Sequence, residues 1–378
     1  MATAADPLAA VLAAPRRRGA RVFNFAAGPA AMPRPVLERA RAELLDWNWT
    51  GLSMWELPFT GRAFRDLMAR VRARLRALLS VPDDYEILLM HGGASAQFAL
   101  VPLNLLRGRG RADYALTGHW SRKALVEGRR YCAAHIAARA RGGRERRLPL
   151  PHEWRLDAQA AYCHVTANET ADGLEFRDFP NTGAVPLAVD MTSSFLSRPV
   201  DVARFGVIYA GAQKNVGPAG LVFVIVRRDL IGGADRRCPS VFDYAVQARA
   251  ESCFNTPPTY AVYLADLVLD WIEGEGGLAT MAAIARRRSA RLYAAIDSSA
   301  LYRCRIAPAD RSRMNVVFGL SEPKLTDAFL AGAEAEGLVN LRGHSAIGGV
   351  RASLYNAMPE AGVAALIDYM RAFERRRG

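Results

Sequence analysis

Phe205-Gly-Val-Ile-Tyr-Ala-Gly-Ala-Gln-Lys214-Asn-Val-Gly-Pro-Ala-Gly220 runs into Leu221-Val-Phe-Val-Ile-Val226, and the reading of this stretch decides the fold. Val207–Ala210 reads as a strand running into a turn dense in small residues. Leu221–Val226, the most apolar run of the chain, reads as a second buried strand. Between them stands Lys214. The chain has only three lysines, and the other two, Lys123 in an Arg-rich helical stretch and Lys324 in Ser321-Glu-Pro-Lys324, read as solvated. A lysine held between buried strands is different. Desolvation lowers its pKa and makes its amine a nucleophile, and the glycines beside it let a bulky group approach the backbone.

Working outward, Asp190 closes the apolar strand Pro186-Leu-Ala-Val-Asp190, at the strand end where α/β sheets place functional groups. A lone Asp after a strand is more often a helix cap; paired with Lys214, it reads as an anion facing a ring nitrogen. His91-Gly-Gly-Ala-Ser-Ala-Gln97 lies between the buried strand Glu86–Met90 and a helix from about Ser95 to Leu106. That is a cup of backbone N–H groups suited to a phosphate. Trp120, in Thr117-Gly-His-Trp120, follows the next strand and is placed to stack on a ring face. Amine, acid, anion cup and aromatic together suit pyridoxal 5′-phosphate (PLP), whose ring nitrogen must stay protonated to act as an electron sink.

The rest of the chain alternates strand-like and helix-like segments, the signature of an α/β fold with a mostly parallel central sheet. Helices are predicted over Pro35–Trp47, Phe64–Leu79 and Tyr260–Glu273, and strands over Asp113–Leu116, Ala161–Val165 and Leu187–Val189. The 378 residues divide into a disordered extension over 1–20, a large cofactor domain over 21–275 and a smaller α+β domain over 276–378. The first residues of the large domain are expected to pack with the small one, which carries two helices and a strand at Met314–Phe318.

Net charge is +13, almost all of it arginine. The arginines are scattered on helical faces, as at Arg70, Arg72, Arg74 and Arg76, and are not gathered into a stripe interleaved with aromatics. That argues for a solvated surface and against nucleic acid as partner. No apolar run reaches the roughly 18 residues of a membrane span. Five widely spaced cysteines without a C-x-x-C pair fit free thiols in a reducing cytosol, so the expected location is cytoplasmic. The six histidines show no metal-binding spacing, and no metal is expected.

Several further segments occur in a fixed order: Phe23-Asn-Phe-x-x-Gly-Pro29, His91-Gly-Gly, Asn168-Glu-Thr170, Leu196-Ser-Arg-Pro-Val-Asp201, Phe254-Asn-Thr-Pro-Pro258, Arg311-Ser-Arg-Met-Asn315 and Arg351-Ala-Ser-x-Tyr-Asn-Ala-Met-Pro359. With the Lys214 stretch they make the chain, from about Phe23 to Gly378, resemble the phosphoserine aminotransferase family, fold-type I, class V PLP enzymes. The resemblance implies a fold-type I PLP-dependent transferase fold. It implies that Lys214 carries the cofactor as a Schiff base and shuttles the proton, that Asp190 pairs with the pyridine nitrogen, and that Trp120 stacks on the ring. Thr170 is implied near the phenolic oxygen, and Ala94, Ser95 and Gln213 at the phosphate, joined by Asn255 and Thr256 of a neighbouring subunit in a homodimer with shared active sites. Arg351 is implied as the clamp for the substrate α-carboxylate. The family moves the amino group of glutamate to 3-phosphohydroxypyruvate.

The substrate pocket departs from that pattern. The resemblance implies a serine where this chain has Ala27, a His-Arg pair at Phe59-Thr60, an arginine at Ser95 and a His-Arg pair at His344-Ser345. Three arginines for the phosphate or side-chain carboxylate are absent together, each worth about 1.5–3 kcal/mol as a charged hydrogen bond. The expectation is an aminotransferase whose pocket takes a less acidic, hydrophobic or hydroxylated amino or 2-oxo acid in a specialised pathway. The alternatives are a genuine phosphoserine aminotransferase of serine biosynthesis, with Arg62 or Arg342 compensating, and a PLP enzyme of another reaction type, an eliminase or decarboxylase.

Overall fold

The structure is a computed structural model describing residues 22–376; the extension expected over 1–20 lies outside the described residues. Seven strands form the central sheet: β1 (Tyr85–Met90), β2 (Arg111–Leu116), β3 (Ala133–Arg139), β4 (Cys163–Thr166), β5 (Leu187–Asp190), β6 (Val207–Gly211) and β7 (Val222–Arg227). Their spatial order is β1-β7-β6-β5-β4-β2-β3. β7 runs antiparallel to both neighbours and every other ladder is parallel, so the sheet is mostly parallel. Because β1 and β6 both oppose β7, the C-terminal ends of β1, β2, β4, β5 and β6 all point to one side. That side holds the site.

Burial on both faces explains the evenly apolar strands. Phe223 and Ile225 of β7, with Ile208 and Ala210 of β6, enter the core under one face; Val222, Val224 and Val226, with Val207 and Tyr209, enter the core under the other. The helices Arg62–Leu79 and Thr259–Gly274 cover the first face, and Gly93–Leu105 and His119–Gly128 the second. Phe223 is fully buried and stacks on Phe195 at 5.7 Å. Phe223→Ala is expected to cost about 3–5 kcal/mol, read as a lower denaturant midpoint. An unchanged midpoint would contradict this packing.

The helix Arg62–Leu79 forms because Phe64, Leu67, Met68, Val71, Leu75 and Leu79 recur at helical spacing and are buried. Its arginines are not simply solvated. Arg70 and Arg74 meet Asp266, Arg74 also meets Asp270 and Glu273, and Arg72 meets Glu251. Arg76 donates to the carbonyls of Val81, Pro82 and Tyr85. These partners lie far along the chain or just beyond the end of the helix, so periodicity alone does not reveal them.

Beyond Gly274 the described residues form three α-helices, Gly277–Asp297, Thr326–Ala335 and Glu360–Arg375, rather than the two helices expected. Thr326–Ala335 offers a weak sequence signal: it buries only Phe329, Leu330 and Ala333, too few positions to set a period. The three helices pack on an antiparallel sheet of Tyr302–Arg303, Asn315–Leu320 and Val350–Ser353. Phe23–Asn24 pairs in parallel with Leu338–Val339 in this same layer. Early in the chain, the helix expected to Trp47 stops at Ala42, and a separate turn forms over Trp47–Trp49 around Asn48 at φ 53. Among the described residues no helix is long and apolar enough to cross a membrane.

Candidate active site

Five strand ends deliver the functional groups. The turn after β6 carries Gln213 and Lys214; β5 ends on Asp190; Asn168 and Thr170 follow β4. The loop after β2 opens the helix that bears Trp120, and the turn after β1 opens the helix that bears Ala94 and Ser95. Gly92 and Gly93, at φ 92 and φ 66, make that second reversal in a region that favours glycine. It leaves the first N–H groups of the helix free for an anion. With Ala27, Thr192, Ser193, His344 and Arg351, these groups line a cavity of about 260 Å³.

The Lys214 amine donates to Thr170 Oγ1 at 2.5 Å and lies 5.8 Å from the centre of the Trp120 ring. Burial lowers its pKa to about 8; the negative charge of Asp190 opposes that shift and the Arg351 guanidinium adds to it. Asp190 is itself buried, which pushes its carboxyl up, and hydrogen bonds from Thr192 pull it back, among them the Thr192 N–H to Oδ1 at 2.9 Å. Arg351 comes from the small sheet. It has no ion-pair partner among the described residues, and its Nε is buried without a hydrogen bond. An unpaired guanidinium facing a cavity is a receptor for a carboxylate.

Two acids hold Trp120 in place. Buried Glu169 accepts the N–H groups of Trp120 at 2.9 Å and Ser121 at 3.0 Å. Asp172 accepts the His119 N–H at 2.8 Å and pairs with Arg146. Burial and the neighbouring Asp172 push the Glu169 carboxyl up. Sequence reasoning gave neither acid a role. The only signal was the Asn168-Glu-Thr170 segment, whose middle residue caps a helix far earlier in the chain.

The donor set fits PLP: an amine near neutrality, a buried acid across from it, a helix N-terminus for phosphate, and a Trp120 whose indole Nε1 is buried without a partner. Ala27, Ala94, Ser95, Trp120, Thr170, Asp190, Gln213, Lys214, His344 and Arg351 are brought together in the cavity. Phe59, Thr60, Ser345, Asn255 and Thr256 are not. Phe59 packs against the core and Thr60 is exposed. Ser345 is exposed beside His344. The Asn255 amide lies 3.3 Å from His91 Nε2, outside the cavity lining. Neither candidate compensating arginine reaches the chain's own cavity: Arg62 is 94% exposed and 3.7 Å from Asp66, and Arg342 bonds Asp327 at 2.9 Å.

Residues 22–366 match the aminotransferase class-V family, and the chain belongs to it as a PLP-dependent transaminase. Within that class it is a member of the phosphoserine aminotransferase family. It is 50% identical over 358 residues to the phosphoserine aminotransferase of Acidithiobacillus ferrooxidans, covering 94% of this chain and 99% of that one. It is 51% identical to that of Azotobacter vinelandii, covering 95% and 99%. Among solved structures, phosphoserine aminotransferase from Bacillus circulans subsp. alkalophilus superposes with a TM-score of 0.91 at 42% identity, over 95% of this chain and 99% of that one. The PLP-bound enzyme from Trichomonas vaginalis superposes with a TM-score of 0.89 at 38% identity, over 93% and 100%. PLP is the cofactor.

Proposed function

We propose that the chain moves the amino group of L-glutamate to 3-phosphohydroxypyruvate, giving 2-oxoglutarate and phosphoserine, in serine biosynthesis. About 50% identity along nearly the whole length to proteins of that name supports this reading above a changed substrate. The geometric observation that carries it is the unpaired Arg351 guanidinium sharing one cavity with the Lys214 amine. PLP, when bound, supplies the electron sink that lets a bond at the substrate Cα break.

The protein's own groups do the rest. Lys214 would hold the cofactor, and its amine would take up the proton that leaves the substrate Cα. Asp190 keeps the ring nitrogen protonated, Trp120 stacks on the ring, Thr170 bonds near its phenolic oxygen, and Arg351 fixes the α-carboxylate. Ala94, Ser95 and Gln213 hold the phosphate, with Asn255 and Thr256 supplied by a second copy in a cytoplasmic homodimer. Exposed apolar side chains support that assembly: Leu45, Trp49 and Trp55 are exposed, Trp49 to 94%, and Phe254 beside Asn255 is half exposed. In the same proposal the unit boundary falls between the helices Thr259–Gly274 and Gly277–Asp297, separating 21–275 from 276–378.

A second reading has one observation in its favour. Among the described residues Arg351 is the one guanidinium lining the cavity, which suits a less acidic amino or 2-oxo acid. Steady-state assays with 2-oxoglutarate separate the two. Phosphoserine is expected to exceed serine and alanine in kcat/KM by at least about tenfold, the value of one charged hydrogen bond. Equal or better turnover of the neutral amino acids favours the second reading.

A further inference from the structure

We infer that His119 is a specificity-determining residue that binds the phosphate of phosphoserine; the inference rests on the proposed activity and deepens it. With Arg351 placed for the α-carboxylate, the far end of the substrate must find its partners elsewhere on the cavity wall. His344 is on that wall. The ring of His119 packs against it, centroids 4.3 Å apart and tilted by 48°, and meets the Trp120 ring edge-on at 5.2 Å. So His119 is the next layer beside both the substrate wall and the stacking aromatic.

Its hydrogen bonding is incomplete. His119 Nε2 is buried and has no hydrogen-bond partner among the described residues. Nearly all buried polar groups are paired in native proteins, so an orphaned ring nitrogen beside a ligand cavity marks a place where a ligand atom belongs. The backbone that carries the ring is held, since Asp172 Oδ2 accepts the main-chain N–H of His119 at 2.8 Å and Arg146 anchors Asp172.

The surrounding charge selects an anion. Lys123, which the sequence suggested was merely solvated, holds its ammonium 5.3 Å from the centre of the Trp120 ring. Lys123 and Arg122 act on His119, and Arg351 acts on His344, all disfavouring added positive charge; only Asp172 opposes them. Both rings are therefore held below the usual histidine range, chiefly by burial. A dianion placed there meets two N–H donors in a positive field, where the resemblance would have put arginines at Ser95 and Ser345.

The test is substrate discrimination in the holoenzyme. His119→Phe keeps a ring against His344 and Trp120 and removes Nε2. The ratio of kcat/KM for phosphoserine to that for alanine is expected to fall roughly ten- to hundredfold, mainly through KM for phosphoserine. A merely structural role would lower both substrates together and leave the ratio unchanged, which overturns the inference. His119→Asn, polar but without an atom at the Nε2 position, is expected to show the same fall and decides the outcome if the Phe variant does not hold its cofactor. If wild-type protein does not turn over phosphoserine, the proposed activity fails and this inference falls with it. Wild-type turnover with an unchanged ratio in the variants removes the inference alone.

Discussion

Replacing Lys214 by alanine is expected to abolish transamination, with kcat/KM falling by at least about a thousandfold and the protein losing its covalent hold on PLP. Neither of the other two lysines can take over. Lys123 and Lys324 are exposed, Lys324 pairs with Glu322 at 3.1 Å, and neither lines the cavity. Burial brings the Lys214 pKa down to about 8. A second readout follows from that value. Only the neutral amine can attack the cofactor aldehyde, so uptake of PLP by the apoenzyme is expected to quicken as pH rises through about 8 and then level off. Alanine at this position leaves room where the side chain stood, and small primary amines in the buffer are expected to restore part of the turnover. Full activity in the Lys214→Ala protein would remove Lys214 from the chemistry.

What the sequence made legible is the part governed by local pattern. The runs Val207–Ala210 and Leu221–Val226 are apolar at every position because both faces are buried, and this gave the strands to within a residue or two. Lys214 and Asp190 stood out for the same reason: a charged residue at the end of a buried strand has few structural explanations. The rest depends on pairs far apart in sequence. Nothing near Trp120 announces that Glu169 and Asp172 cap its helix, and nothing in helix 62–79 names Asp266 as the partner of Arg70 and Arg74. Strand β3 was also not foreseen. It lies at the sheet edge with exposed and partly buried positions interleaved, and its alanines carry almost no hydrophobic signal.

Asp190→Asn should leave the fold intact yet lower kcat/KM roughly a hundred- to thousandfold, the scale of losing one preorganised electrostatic contact. The substitution is close to isosteric. An asparagine side-chain oxygen can still accept the Thr192 N–H that now reaches Oδ1 at 2.9 Å, so the change removes charge without opening a cavity. The loss falls on the ring nitrogen, which no longer has an anion to keep it protonated, so the cofactor becomes a poorer electron sink. A second effect runs through Lys214. The negative charge of Asp190 is what opposes the downward pull of burial on that amine. Without it the ammonium form is less favoured, and the Lys214 pKa is expected to drop below about 8. PLP uptake by the variant apoenzyme should therefore persist to lower pH than in the wild type while turnover collapses. General damage to the site would depress both. If uptake and turnover fall together, or the pH midpoint of uptake stays where it was, Asp190 is not electrically coupled to the amine in the way this geometry requires.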